Sequence, residues 1–401
     1  MDPAIDLTDP DSYAGGIPHD VFRWLRAHDP VSWRATGYWA VTRHADVTAV
    51  LRAPTVFSSW RGGVLVEDPP PEFLAKLRQN VLNRDPPDHT AMRRLLNHAF
   101  SPKQIAVLED RIAAYARELV GRVREQSGCD FATEVAGEMP LFVICEILGV
   151  PHEDRQALYA LTARMFGSEL PDRAAALRDG MAAAEQMRAY GAELERAKRA
   201  APADDLVSEL LGAEIAGRRL EHDEFLALFM LLFNAGADTT RSLMCYGLDL
   251  LLEHPEALAR LRADEALLAP AIEEMLRYEP PVIQVRRTAT RDVELAGRRI
   301  AEGDKVIVYL PSANRDEAVF PEPDRFDVAR SPNHHLAFGH GVHFCLGAPL
   351  ARLEIKHVLR QVLAQLDELE RAAPLVTSRT SFIRSARHQA LRFRARRAAP
   401  A

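Results

Sequence analysis

Cysteine, threonine and acidic side chains carry chemistry only where their surroundings change their ionisation or leave room for a reactant, and two stretches of this chain provide such surroundings. The first runs Phe338, Gly339, His340, Gly341, Val342, His343, Phe344, Cys345, Leu346, Gly347, Ala348, Pro349. Its glycines permit positive φ and close backbone approach, and Pro349 suits the first turn of a helix that continues through Leu350 to Glu354. Cys345 therefore lies just ahead of a helix N-terminus, where free N–H groups and the helix dipole favour the thiolate, the form in which sulfur ligates a metal. A lone cysteine is far more often an inert buried side chain, but the glycine and histidine frame reverses that preference. The other cysteines, Cys129, Cys145 and Cys245, are far apart and form no CxxC pair. A zinc site built on paired thiolates is not expected, and a reducing, intracellular setting is.

The second stretch is Ala235, Gly236, Ala237, Asp238, Thr239, Thr240. A carboxylate and hydroxyls inside an apolar helix are costly unless paired, and Gly236 leaves room for something to approach the backbone. The plain alternative is that the threonines bond back to carbonyls one turn earlier and bend the helix. Two further pairings involve charge. Glu274 and Arg277 share one helix face at i, i+3 spacing, an arrangement more often found on a solvated surface. His89 and Arg93, one turn apart after Asp85, Pro86, Pro87 and Asp88, can reach a common anion.

The elements that position these residues are mainly helical. Apolar residues recur at helical spacing over Leu108–Val123 and Ala183–Leu194. An uninterrupted helical pattern spans His222 to about Glu253, longer than the ~8 to 20 residues usual in globular proteins. Its early half, Phe225 to Phe233, is apolar on nearly all sides and predicts a helix through the interior. Strand patterns are short: Trp39–Thr42, Val282–Thr288, Val293–Leu295, Lys305–Leu310 and Ala390–Phe393. The expected fold class is mainly α with small antiparallel sheets.

Across 401 residues, 47% are hydrophobic and 27% charged, an ordinary globular composition. No linker divides the chain, so a single domain over 1–401 is expected. The net charge of −7 disfavours a nucleic-acid footprint. The opening Met1, Asp2, Pro3, Ala4, Ile5, Asp6 does not read as a secretory leader, and no apolar run approaches the ~20 residues of a membrane span. A cytoplasmic, soluble monomer without membrane or nucleic-acid partners is expected.

The cysteine segment resembles the haem-binding loop of cytochromes P450, and the other motifs follow in that family's order from Trp39 to the closing strands. The resemblance implies a haem b (iron protoporphyrin IX) lying between the long central helix and the helix after the cysteine loop. Cys345 would be its iron ligand, shielded by Phe338, with Gly347 in the loop and Ala235 and Gly236 on the opposite side. His89, Arg93, Arg287 and His343 match positions that hold the propionates. Thr239 would steady dioxygen and Asp238 feed protons. Arg325, in the stretch Pro323 to Phe326, would join Glu274 and Arg277 in a structural lock. The implied activity is monooxygenation of a largely hydrophobic small molecule by O2, as hydroxylation or epoxidation. Electrons would come from a ferredoxin-type donor with an NAD(P)H-dependent reductase, docking near Arg94, Lys103, Arg352 or Lys356. Leu232, Asn234, Ala235, Val282, Ile283, Gln284, Phe382 and Ile383 are the candidate pocket residues, with Asn234 and Gln284 as polar handles. Oxidative coupling or desaturation on the same fold, or a non-catalytic haem sensor, are the competing readings.

Overall fold

The computed structural model describes residues 5–167, 172–215 and 217–396; Met1 to Ala4, from the opening considered above, lie outside the described residues. The interior helix forms over His222–Glu253, 32 residues, and its start is fixed by a capping box in which Glu221 and Glu224 each accept from the other's backbone N–H. Phe225, Phe229 and Phe233 fall at i, i+4 spacing, are at most 1% exposed and lie in series at centroid distances of 6.4 and 6.2 Å, the first pair stacked and the second tilted. Each such ring adds roughly 1.5–3 kcal/mol of burial. Around this helix pack Glu138–Leu148, Arg173–Ala200, Leu268–Tyr278 and Ala348–Gln365.

The main sheet has five strands in the order Val31–Arg34, Tyr38–Val41, Lys305–Tyr309, Gln284–Ala289, Phe57–Ser58. The expected antiparallel character holds for three of its pairings. Tyr38–Val41 and Lys305–Tyr309 instead run parallel. Strands so far apart in sequence carry no hairpin to impose opposite directions, so the sheet is mixed. A smaller sheet joins Leu366–Arg371, Ala390–Ala395 and Gly128–Asp130. The hairpin of Val376–Thr377 with Ala386–His388 reaches the central helix.

Within Gln284–Ala289, alternate residues point to opposite faces. Arg287 pairs with Val306, and Gln284 with Tyr309. Arg287 and Gln284 therefore lie on different sides of the sheet.

Candidate active site

The cysteine loop is built by turns rather than by a helix or strand. Gly341 has φ of +73°, and a Cβ there would meet the Leu51 carbonyl at 2.5 Å, so no other residue fits without moving the helix His44–Arg52. The Cys345 N–H donates to the Phe338 carbonyl at 2.9 Å, closing the loop. Helix Ala348–Gln365 follows directly, with Gly347 as its cap residue and Pro349 in its first turn. Burial pushes the Cys345 thiol up, and four features oppose it: the N–H groups of Gly347 and Ala348, and the charges of Arg93 and Arg352. The residue nevertheless retains accessible surface, as expected at the floor of a cleft. Phe338 lies beside it under Arg352, whose guanidinium is 4.6 Å from the ring centroid. Arg352 is held there by a two-pronged pair with Glu273 at 2.6 and 2.7 Å.

Opposite properties appear on the central helix. Ala235 is exposed, and Gly236 and Thr239 partly so, although Phe233, Asn234, Ala237 and Asp238 around them are buried. Ala235 and Thr239 are one turn apart and share this open face. The Thr239 hydroxyl donates to the Ala235 carbonyl at 3.0 Å, so the back-bond weighed from sequence does form. Its lone pairs remain available to a donor. Asp238 departs from expectation. Successive helix residues turn by about 100°, which takes its carboxyl off the open face. It is bonded to Arg241 and to the Ser385 hydroxyl. Burial pushes this carboxyl up, against the Ser385 bond and the charge of Arg387.

The four basic residues converge. The His89 and His343 rings lie 4.2 Å apart. The His343 imidazole is pushed down to about 2, by burial first and then by Arg287, His89 and Arg93. His89 is pushed down to about 4 by burial and then by Arg93, with Arg287 adding to it and Asp85 opposing. Arg287 is buried, its guanidinium donates to the Arg286 carbonyl, and burial lowers it to about 10. Arg93 donates to the Phe344 carbonyl at 2.6 Å, bracing the cysteine loop. The buried Nδ1 of His89 has no partner. Basic groups crowded together at this cost fit a bound dianion, and a thiolate-forming cysteine beside small helix residues fits a flat metal-bearing ring. The haem of the resembling family has both features.

The Glu274 and Arg277 pair is fully buried, at 2.7 and 2.8 Å, which excludes the solvated-surface reading. One expectation is corrected. Arg325 contributes only its backbone carbonyl, to Arg277 at 3.2 Å, while its side chain turns to Glu322 and Asp327. The third arm is Arg330, whose Nε donates to Glu274 at 3.1 Å, with Asn333 donating to the other oxygen. Arg325 cannot serve because Glu322 and Asp327 hold its guanidinium outward.

The candidate pocket is partly corrected too. Val282 bridges Ile383, and the Phe382 carbonyl accepts from the Ile283 N–H at 2.8 Å, so these segments do meet. Val282, Phe382 and Ile383 are partly exposed. Ile283 packs in the cluster of Leu7, Phe22, Tyr38 and Tyr309, under the other side of the sheet. Gln284, paired with Tyr309, is fully buried with both amide atoms unpartnered. Strand alternation removes Gln284 as a pocket handle. The Asn234 amide oxygen accepts from the Thr162 hydroxyl at 3.1 Å, its nitrogen faces the Met165 sulfur at 3.9 Å, and Leu232 belongs to the core. Ser385, Arg330 and Glu273 escaped the sequence reading because their partners are distant in the chain, whereas Arg241, at i, i+3 from Asp238 on the long helix, could have been found by spacing.

A family profile described as Cytochrome P450 matches residues 178–370. Cytochrome P450 126 of Mycobacterium tuberculosis is 39% identical over 407 residues, covering 97% of this chain and 96% of that protein. The chain belongs to the cytochrome P450 family. The steroid C26-monooxygenase of Rhodococcus jostii is 35% identical over 91% of this chain and 80% of its own length. Among solved structures, the cytochrome P450 CYP268A2 of Mycobacterium marinum in complex with pseudoionone has a TM-score of 0.90 at 36% identity, covering 97% of this chain and 98% of that one. This P450 is accordingly an oxidoreductase of the monooxygenase type with a haem-thiolate cofactor, a redox partner and a hydrophobic substrate. Thiolate ligation favours O–O cleavage, a property of the family rather than one read from these residues. No helix among the described residues is long and apolar enough to cross a membrane.

Proposed function

We propose that this P450 inserts one oxygen atom from O2 into a C–H or C=C bond of a largely hydrophobic small molecule, holding haem b through Cys345. The observation that carries this reading is the pairing of the Cys345 loop with the basic cluster of His89, Arg93, Arg287 and His343. When bound, the haem supplies the oxidising chemistry. The chain's own residues do the rest. Arg287 and Arg93 would neutralise the propionates and His89 and His343 would donate hydrogen bonds to them, Arg93 also bracing the loop at Phe344. Phe338, under Arg352, keeps water from the sulfur. The Ala235 and Gly236 turn leaves room for the flat ring, and Thr239 presents hydroxyl lone pairs to the same side. Burial makes the Asp238 carboxyl less acidic, as suits a group that takes up and passes on a proton.

Val282, Phe382 and Ile383 orient the substrate by apolar contact, as suits a site with few polar groups. The steroid named for the Rhodococcus relative and the pseudoionone bound by the Mycobacterium marinum enzyme support a terpenoid-like or steroid-like substrate class. The whole chain acts as one domain and as a monomer. Electrons come from an acidic ferredoxin with an NAD(P)H-dependent reductase. Arg94 and Lys103 are its exposed contacts, since Arg352 and Lys356 are engaged by Glu273 and Glu109. The test is to reduce purified parent and Cys345→Ser proteins and add carbon monoxide. A long-wavelength Soret band in the parent that serine abolishes supports the reading; its absence from the parent overturns it.

A further inference from the structure

Asp238 is gripped from two sides. One carboxyl oxygen receives the guanidinium of Arg241, itself held by the Tyr159 hydroxyl. The other oxygen receives the hydroxyl of Ser385, 147 positions away in sequence. Ser385 is buried, and its backbone is pinned from both directions: its N–H donates to the Ser378 hydroxyl at 2.9 Å, and its carbonyl accepts from the Ser378 N–H at 2.8 Å. The adjacent Ala386 N–H donates to Ser242, whose hydroxyl donates to the Asp238 carbonyl at 2.8 Å. Upstream, Arg384 N–H bonds the Pro281 carbonyl at 2.8 Å. The hydroxyl of Ser385 is thus left with side-chain rotation as its remaining freedom.

The two partners differ chemically. A guanidinium only donates, whereas a hydroxyl donates to a carboxylate and accepts from a carboxylic acid. Whenever Asp238 is protonated, its proton therefore sits on the oxygen at Ser385, because the oxygen at Arg241 already faces a donor. We propose that Ser385 is a positioning residue for Asp238, fixing which carboxyl oxygen carries the proton and so governing proton delivery in this P450. This rests on the reading of Asp238 as the proton source. The other titratable groups around the carboxyl are Arg241, Cys245 and Tyr246 on its own helix, Arg387 on the hairpin, Tyr159 on the helix Arg155–Gly167, and Asp130 near Arg241. Burial holds Cys245 and Tyr246 protonated, so neither adds charge at working pH.

The experiment measures product formed per electron consumed, across pH, in the holoenzyme with a surrogate ferredoxin system and a substrate that shifts the iron spin state. The proteins are the parent, Ser385→Ala, Ser385→Thr, Asp238→Asn and the double variant Ser385→Ala/Asp238→Asn. Loss of one hydrogen bond to the neutral acid predicts roughly a fivefold fall in product per electron for Ser385→Ala. Its pH midpoint should move upward by on the order of one unit, because a donor that favoured the carboxylate is gone. Ser385→Thr should restore both, and Ser385→Ala should add nothing to Asp238→Asn. A denaturant double-mutant cycle on the same proteins gives a readout independent of turnover: Ser385→Ala should destabilise the parent more than it destabilises Asp238→Asn. Equal coupling and an unmoved midpoint in Ser385→Ala, while Asp238→Asn is impaired, overturns the role of Ser385 alone. Unimpaired Asp238→Asn overturns the acid assignment, and Ser385 falls with it. If the alanine variant does not fold, Ser385→Cys, with its weaker donor, carries the same comparison.

Discussion

His89 and His343 lie ring against ring at 4.2 Å with planes tilted by 55°, one from the helix Asp88–Ala99 and the other from the cysteine loop. Two elements 254 positions apart (343 − 89) are thereby joined at the point where Arg287 approaches from the sheet. Without an anion this junction is costly, since each basic group suppresses the charge of the next.

That cost predicts the effect of removing its buried arginine. Arg287→Leu keeps volume and deletes the charge, and a hydrogen bond to a charged group is worth about 1.5–3 kcal/mol. Transfer of haem from the variant to a haem-scavenging apoprotein should be about ten- to a hundredfold faster than from the parent. An unchanged rate would separate Arg287 from cofactor retention.

The lock gives a contrast between two arginines five positions apart. Removing one partner of a buried, hydrogen-bonded ion pair costs about 3–5 kcal/mol. Glu274→Gln should approach that loss, and Arg330→Ala should cost a substantial part of it. Arg325→Ala should stay within about 0.5 kcal/mol, because its side chain is exposed and bonds only surface carboxylates. Denaturant melts of the three variants test the order, and a larger loss at Arg325 would contradict the assignment of Arg330.

Glu354, on the helix after the cysteine, is fully buried, and burial pushes its carboxyl well above the ordinary range. One of its oxygens has no partner. In the folded chain it keeps its proton at pH values where the unfolded chain has released it. Folding therefore binds a proton, and stability attributable to this group declines as pH rises above the unfolded value of about 4.3. Glu354→Gln should match the parent near pH 4 to 5 and become progressively more stable than it toward pH 8. Parallel melting curves across that range would refute the buried, protonated state.

Thr239→Ala should leave substrate binding and haem content intact while lowering product per electron several-fold, with the missing electrons recovered as hydrogen peroxide. The hydroxyl's bond to the Ala235 carbonyl contributes little to helix stability, so the melting temperature should barely move. Equal peroxide yields in both proteins would return Thr239 to a purely structural role.

Much of this was legible in the chain because its signals are local. The glycines around Cys345, the 32-residue helical pattern and the Glu274 and Arg277 spacing are each local, and each forms where the pattern put it. Relationships made across the fold were not legible. Ser385 reaches Asp238 through a hairpin whose pairing slips at Val376 and Thr377. Arg330 rather than Arg325 meets Glu274 because the intervening coil has no period to count. Gln284 was misplaced by a single step of strand alternation, which a sequence cannot resolve without the neighbouring strand's register.

Arg352 bears on how electron transfer can be studied in this enzyme. Its guanidinium caps the Phe338 ring and is clamped by Glu273, so it is a roof beam over the sulfur as well as a surface cation. Neutralising it to map donor affinity would also loosen the hydrophobic cover of the Cys345 sulfur. Weaker association and a shifted reduction potential would then arrive together, and only spectroelectrochemistry of the isolated variant would tell them apart.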